Sequence, residues 1–146
     1  MKIYLDNCSL QRPLDDRSQI RIMLEAEAVL AIISLCESGQ LEMVSSEALL
    51  FEINRTSNTS RKEIALGMLG VAKSLIAIDQ EIKDRAAELI NNGVKPLDAL
   101  HLASAEKAQV DFFCTCDDKL LKKAKTLCEP KLKVRSPIQL VEEIEQ

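Results

Sequence analysis

Short apolar segments separated by long helix-forming stretches constrain this chain more than any other feature. Residues 2–5, 41–44 and 110–115 are brief, apolar and partly β-branched; 75–78 reads as a strand or extended link, and 132–134 as a weaker strand. Helix formers fill the intervals: 19–38, closed by Gly39; a helix capped at Ser45-Ser46 that carries Glu47 and Glu52; then 61–73, 80–91 behind a cap at Asp79, 97–107 opened by Pro96, 119–127, and a last helix from Pro137. Residues 7–18 and 54–60 read as polar loops. Parallel neighbours need long crossovers, so this alternation predicts an α/β fold with a short parallel sheet flanked by helices. In such sheets ligands gather beyond the carboxyl ends of the strands.

A chain of 146 residues with 47% hydrophobic types fills one core, so a single domain over 1–146 is expected. No apolar run reaches the roughly 18 residues of a membrane span. Asp6 interrupts the N-terminus before a signal-peptide stretch forms, and the protein is expected to be cytoplasmic. The five cysteines, Cys8, Cys36, Cys114, Cys116 and Cys128, lack zinc-finger spacing and read as reduced, mostly buried residues. The net charge of -4 excludes nucleic-acid binding by bulk positive charge, leaving only a local basic patch. The lone histidine, His101, excludes a His-rich metal site, and the four glycines fit neither nucleotide-cradling motif. Chemistry here must use carboxylates.

Asp6 directly follows the first strand and Asp117 follows the strand ending at Thr115, so both should emerge at one edge of the sheet. Asp98 sits in the first turn of the helix behind Pro96, and Glu52 lies on the helix after the second strand. Each acid alone has a plain structural reading as a cap or a solvated helix position. Four acids converging on one crevice would instead repel one another unless a cation is present. Mg²⁺ or Mn²⁺, which prefer oxygen ligands, suit a site without His or Cys and would assist in-line hydrolysis of a phosphodiester.

The ordered set Ile3-Tyr4-Leu5-Asp6-Asn7-Cys8, Val44-Ser45-Ser46 with Phe51-Glu52-Ile53, Asp98-Ala99-Leu100-His101-Leu102-Ala103-Ser104-Ala105 and Thr115-Cys116-Asp117-Asp118-Lys119-Leu120 resembles the PIN domain family, which includes the VapC-type toxins of bacterial toxin–antitoxin pairs. The resemblance implies a Rossmann-like three-layer fold and a Mg²⁺- or Mn²⁺-dependent endoribonuclease with Asp6, Glu52, Asp98 and Asp117 as the acidic quartet. Thr115 resembles the hydroxyl residue near the last acid. Many toxin relatives place a small hydroxyl residue and then Asn after the first acid, where this chain has Asn7 and Cys8. Glu47 competes with Glu52, and Asp118 with Asp117.

For the substrate, Lys119 leads a basic segment running to Arg135 with Glu129 as its single acid after Asp118, and Arg12 follows Asp6 as a second phosphate contact. His101, one turn after Asp98, reads as a core or supporting histidine. Aromatics at 3% disfavour base stacking as the RNA-binding mode. Expected partners are RNA, an antitoxin protein and a second copy of the chain, with no membrane. The alternative is a catalytically silent PIN-like module that binds RNA or protein. An aspartyl phosphatase is weakened by Cys8 where that motif needs a second Asp.

Overall fold

Ile3, Tyr4 and Leu5 are fully buried although successive side chains point to opposite faces, which marks their strand as central and covered on both sides. In the computed structural model, which describes residues 1–145, this strand is β1 (Lys2–Leu5). There follow α1 (Asn7–Gln11), a 3-10 turn over Arg12–Leu14, α2 (Ile20–Glu37), β2 (Glu42–Ser46), α3 (Glu47–Asn54), α4 (Thr59–Leu69) and β3 (Ser74–Ile76). The second half comprises α5 (Gln80–Asn91), α6 (Pro96–Lys107), β4 (Phe112–Cys114), α7 (Asp118–Cys128), β5 (Lys133–Arg135) and α8 (Pro137–Ile144).

Every strand pair is parallel and the spatial order is β3-β2-β1-β4-β5. The chain therefore starts in the middle, builds toward β3, then crosses back to lay β4 on the other side of β1. That reversal opens a crevice beyond the carboxyl ends of β1 and β4. Tyr4 stands opposite Phe113 in this pair, with ring centroids 5.4 Å apart and planes 12° from parallel. Helix α2 packs with α8, while α6 packs with α5 and α3. The α/β fold with a parallel sheet and flanking helices is as the sequence predicts.

Three local expectations need correction. Residues 7–18 are not all loop: the Asp6 side chain accepts from the Ser9 amide and nucleates α1. The helix predicted over 61–73 starts at Thr59 behind an Asn58 cap and ends at Leu69, because the chain must turn at Gly70 for the Lys73 amide to reach the Met43 carbonyl and enter β3. The 110–115 strand narrows to Phe112–Cys114. Helix α2 buries Ala26, Val29, Ile32 and Cys36 but leaves Ile20, Met23, Leu24 and Leu30 exposed, so its deep packing is one-sided. Among the described residues no helix is long and apolar enough to cross a membrane.

Candidate functional site

The register that pairs Leu5 with Cys114 carries Asp6 and Thr115 to the same edge, and the Asp6 amide bonds to the Cys114 carbonyl at 3.1 Å. Asp6 is buried, and its Oδ1 accepts from the Ser9 amide at 3.0 Å and from the Cys8 thiol at 3.1 Å. Burial raises its carboxyl above the ordinary value, opposed by donors on Thr115, Cys8 and Ser9. The Cys8 thiol thus supports the first acid from the second position after it.

Asp98 stands in the first turn of α6 and is pushed up to about 6, chiefly by burial and next by the charge of Asp6, with Glu52 and Asp117 adding and His101 opposing. All four predicted acids are therefore within one electrostatic neighbourhood. Asp117 is exposed and caps α7, its Oδ1 accepting from the Lys119 and Leu120 amides at 2.9 and 3.2 Å. Glu52 sits late on α3, with Oε1 2.7 Å from His101 Nε2.

The competing acids are occupied elsewhere. Glu47 accepts from the Ile78 amide at 2.6 Å, and Asp118 forms a two-toothed pair with Arg21 at 2.8 and 2.6 Å that lowers its carboxyl. A shallow cavity of about 110 Å³ is lined by Val94, Lys95, Asp98, Asp117, Lys119 and Lys123. A larger one of about 680 Å³, lined by Met1, Asp111, Lys131 and Lys133, lies at the amino-terminal edge of the sheet, away from these acids. Size does not select the site here, since Asp98 and Asp117 line the smaller cavity.

Two residues expected to contact substrate have partners within the protein. Thr115 is fully buried and cannot reach a substrate; its hydroxyl accepts from the Asp117 amide at 3.1 Å and lies 3.6 Å from the Cys8 thiol, so it braces two acids. Arg12 pairs with Asp15 at 3.0 Å and with buried Glu25 at 3.2 Å, which commits its guanidinium to tying the 3-10 turn onto α2. Arg12→Ala should destabilise the fold by about 2 kcal/mol in urea titration, below the roughly 3–5 kcal/mol of a wholly broken buried pair because Arg21 stays near Glu25. Unchanged stability would return Arg12 to the list of phosphate contacts. Lys119 remains exposed at the cleft.

Sequence reasoning missed Tyr4 and Ser46. The Tyr4 hydroxyl is 2.5 Å from Ser46 Oγ and 2.7 Å from His101 Nδ1. A tyrosine inside a buried strand needs a partner for its hydroxyl, and that was the available signal.

The donor set is carboxylate oxygen, the chemistry of Mg²⁺ and Mn²⁺. Among the described residues no three His, Cys, Asp or Glu side chains form a ready-made metal cage. Mg²⁺ commonly uses one or two carboxylates, keeps several waters and takes further oxygens from a phosphate, so an open acidic cleft fits it. Asp6, held above its ordinary value by burial, and Asp98, raised by burial and by the charge of Asp6, are the groups a cation would relieve.

Comparison with known proteins bears on the fold and the family. Ribonuclease VapC46 of Mycobacterium tuberculosis is 40% identical over 55 residues, 36% of this chain and 42% of that protein, so the chain spans well under two thirds of that relative. The structure of VapBC2 from Rickettsia felis bound to a DNA fragment from their promoter aligns with TM-score 0.55 and 11% identity, over 93% of this chain and 98% of the other. PAE2754 from Pyrobaculum aerophilum aligns over the whole of both chains with TM-score 0.57 and 16% identity. At these identities the two structures share the fold. A family model for the PIN domain matches residues 12–126, a span that includes Glu52, Asp98 and Asp117. The chain belongs to the PIN domain family.

Proposed function

We propose that this protein is a Mg²⁺- or Mn²⁺-dependent endoribonuclease that uses Asp6, Glu52, Asp98 and Asp117, and that it is the toxin of a toxin–antitoxin pair. The observation carrying the reading is the electrostatic coupling of Asp98 to Asp6, Glu52 and Asp117 beside the crevice where the strand order reverses. Asp6 and Asp98 would hold the metal, with Asp117 and Glu52 completing its acidic surroundings. When bound, the ion supplies an activated water and neutralises charge on the scissile phosphodiester. Ribonuclease VapC46 supports the activity class by its name, and VapBC2 supports an antitoxin partner by its title. The partners proposed are RNA, an antitoxin and a second copy of the chain; the compartment proposed is the cytoplasm.

Holding the RNA falls chiefly to lysines. Six of the seven arginines, Arg12, Arg17, Arg21, Arg61, Arg85 and Arg135, are engaged in ion pairs, and the seventh, Arg55, is exposed and stands 5.4 Å from the Phe51 ring centroid. Among the described residues, Lys95, Lys119 and Lys122 have no carboxylate within ion-pair distance, and they border the acidic cleft or the adjoining face of α7. These three supply a local positive track on an acidic protein. Lys119→Ala and Lys122→Ala together should weaken RNA binding and flatten the log-log salt dependence by about 0.7 per lost phosphate contact. An unaltered salt slope would remove both lysines from the interface.

The decisive assay incubates the purified, folded protein with a mixed RNA pool and Mn²⁺ or a chelator. Cleavage with Mn²⁺ alone supports the proposal. No cutting, together with retained RNA binding, would favour the silent module.

A further inference from the structure

His101 is fully buried on α6, yet both of its ring nitrogens have partners on other elements: Tyr4 of β1 at 2.7 Å and Glu52 of α3 at 2.7 Å. Tyr4 reaches on to Ser46 at 2.5 Å, and Ser46 Oγ accepts from the Leu49 amide at 3.0 Å as the N-cap of α3. The chain of bonds thus leaves α3 at its first turn, passes through β1 and α6, and returns to α3 at Glu52.

One direction gives every donor in the chain of bonds an acceptor. Ser46 Oγ already accepts from Leu49, and among the described residues the Tyr4 oxygen is its hydroxyl's acceptor. Tyr4 then donates to His101 Nδ1, which leaves the remaining ring proton on Nε2 to be donated to Glu52 Oε1. With this assignment neither the Ser46 nor the Tyr4 hydroxyl is left without an acceptor.

The geometry points to His101 as a positioning residue: a one-way hydrogen-bond relay from the α3 cap, through Tyr4 and His101, orients the Glu52 carboxylate at the acidic cleft. Only Oε1 is committed to the relay, and the Glu52 side chain stays 30% exposed, so the carboxylate remains reachable from the cleft. Left to its own rotamers, Glu52 would swing away from the like charges of Asp98 and Asp6. The donor on Nε2 opposes that repulsion, as second hydrogen bonds do around ligating groups in metal sites. The inference rests on the nuclease reading for its consequence, and on the bonds alone for its geometry.

Asn and Gln separate the two ring contacts, since the Asn amide approximates Nδ1 and the Gln amide approximates Nε2. His101→Asn should lower Mn²⁺-dependent cleavage by about 10–100-fold and His101→Gln should largely restore it. In a Glu52→Gln background, His101→Asn should have no further effect. The lone histidine also gives an unambiguous imidazole ¹⁵N spectrum, which should show the proton on Nε2 and none on Nδ1. Full activity of His101→Asn, equal loss in folded Asn and Gln variants, or additivity with Glu52→Gln overturns the positioning role. If the wild type cuts no RNA, the nuclease reading fails and the spectrum judges the relay: an Nε2 proton upholds it, and an Nδ1 proton overturns it.

Discussion

Asp98→Asn and Asp6→Asn should each abolish the proposed metal-dependent RNA cleavage, by about 1,000-fold or more, while the protein stays folded. Each change removes one negative oxygen from the proposed metal site. A loss of roughly 4 kcal/mol of transition-state stabilisation corresponds to that factor, and a bound metal supplies several kcal/mol of this kind. The fold tolerates both substitutions for different reasons. Asparagine keeps a carbonyl oxygen able to cap α1 in place of Asp6, which accepts the Ser9 amide there. Asp98 is held above its ordinary value by burial and neighbouring acids, so losing its charge relieves repulsion. Single-turnover cleavage at saturating Mn²⁺, with circular dichroism as the folding control, measures the effect. Either variant cleaving at the wild-type rate would contradict the assignment.

Mn²⁺ should stabilise the wild type at neutral pH by about 2.7 kcal/mol at a hundredfold excess over Kd, read as a rise of several degrees in Tm. The pH dependence of the metal-free protein carries the same electrostatics with a definite sign. Folded Asp98 titrates near 6, against an ordinary 3.8. Between those values the folded state binds the extra proton, so stability falls as pH rises from about 4 to about 6 and levels off above. The full shift corresponds to about 3 kcal/mol, and solvent screening of a partly exposed carboxyl reduces the expected decline to about 1 kcal/mol. Asp6, also raised, adds in the same direction. Mn²⁺ should cancel the decline by neutralising the cluster, and Asp98→Asn should lose both the decline and most of the Mn²⁺ response. A Tm unaffected by saturating Mn²⁺ at pH 7.5 would count against the acids as a binding site.

Much of this arrangement is legible in the residues taken in order. Asp6 and Asp117 each end a short apolar run, Pro96 announces the helix carrying Asp98, and parallel strands must deliver the first two to a common edge. The choices between Glu52 and Glu47, and between Asp117 and Asp118, were not legible, because residues one turn apart or adjacent share the same local pattern. They separate only through distant partners: Ile78 for Glu47, Arg21 for Asp118, His101 for Glu52. Arg12 misled for a related reason. Its position after Asp6 suggests a phosphate contact, whereas its partner Glu25 arrives from α2 as a buried charge that no local pattern announces.

The order of apolar runs, caps and acids by itself determined the α/β class and singled out the four carboxylates of the proposed site, because hydrophobic periodicity and helix-end chemistry act over a few residues. Tertiary structure alone showed that Glu47 and Asp118 have distant partners, that Thr115 bonds the Asp117 amide and Arg12 pairs with Glu25, and that Tyr4 and Ser46 connect to Glu52 through His101. Those outcomes depend on hydrogen bonds and ion pairs between side chains far apart in the chain, which form only once β1, α3 and α6 have been packed together.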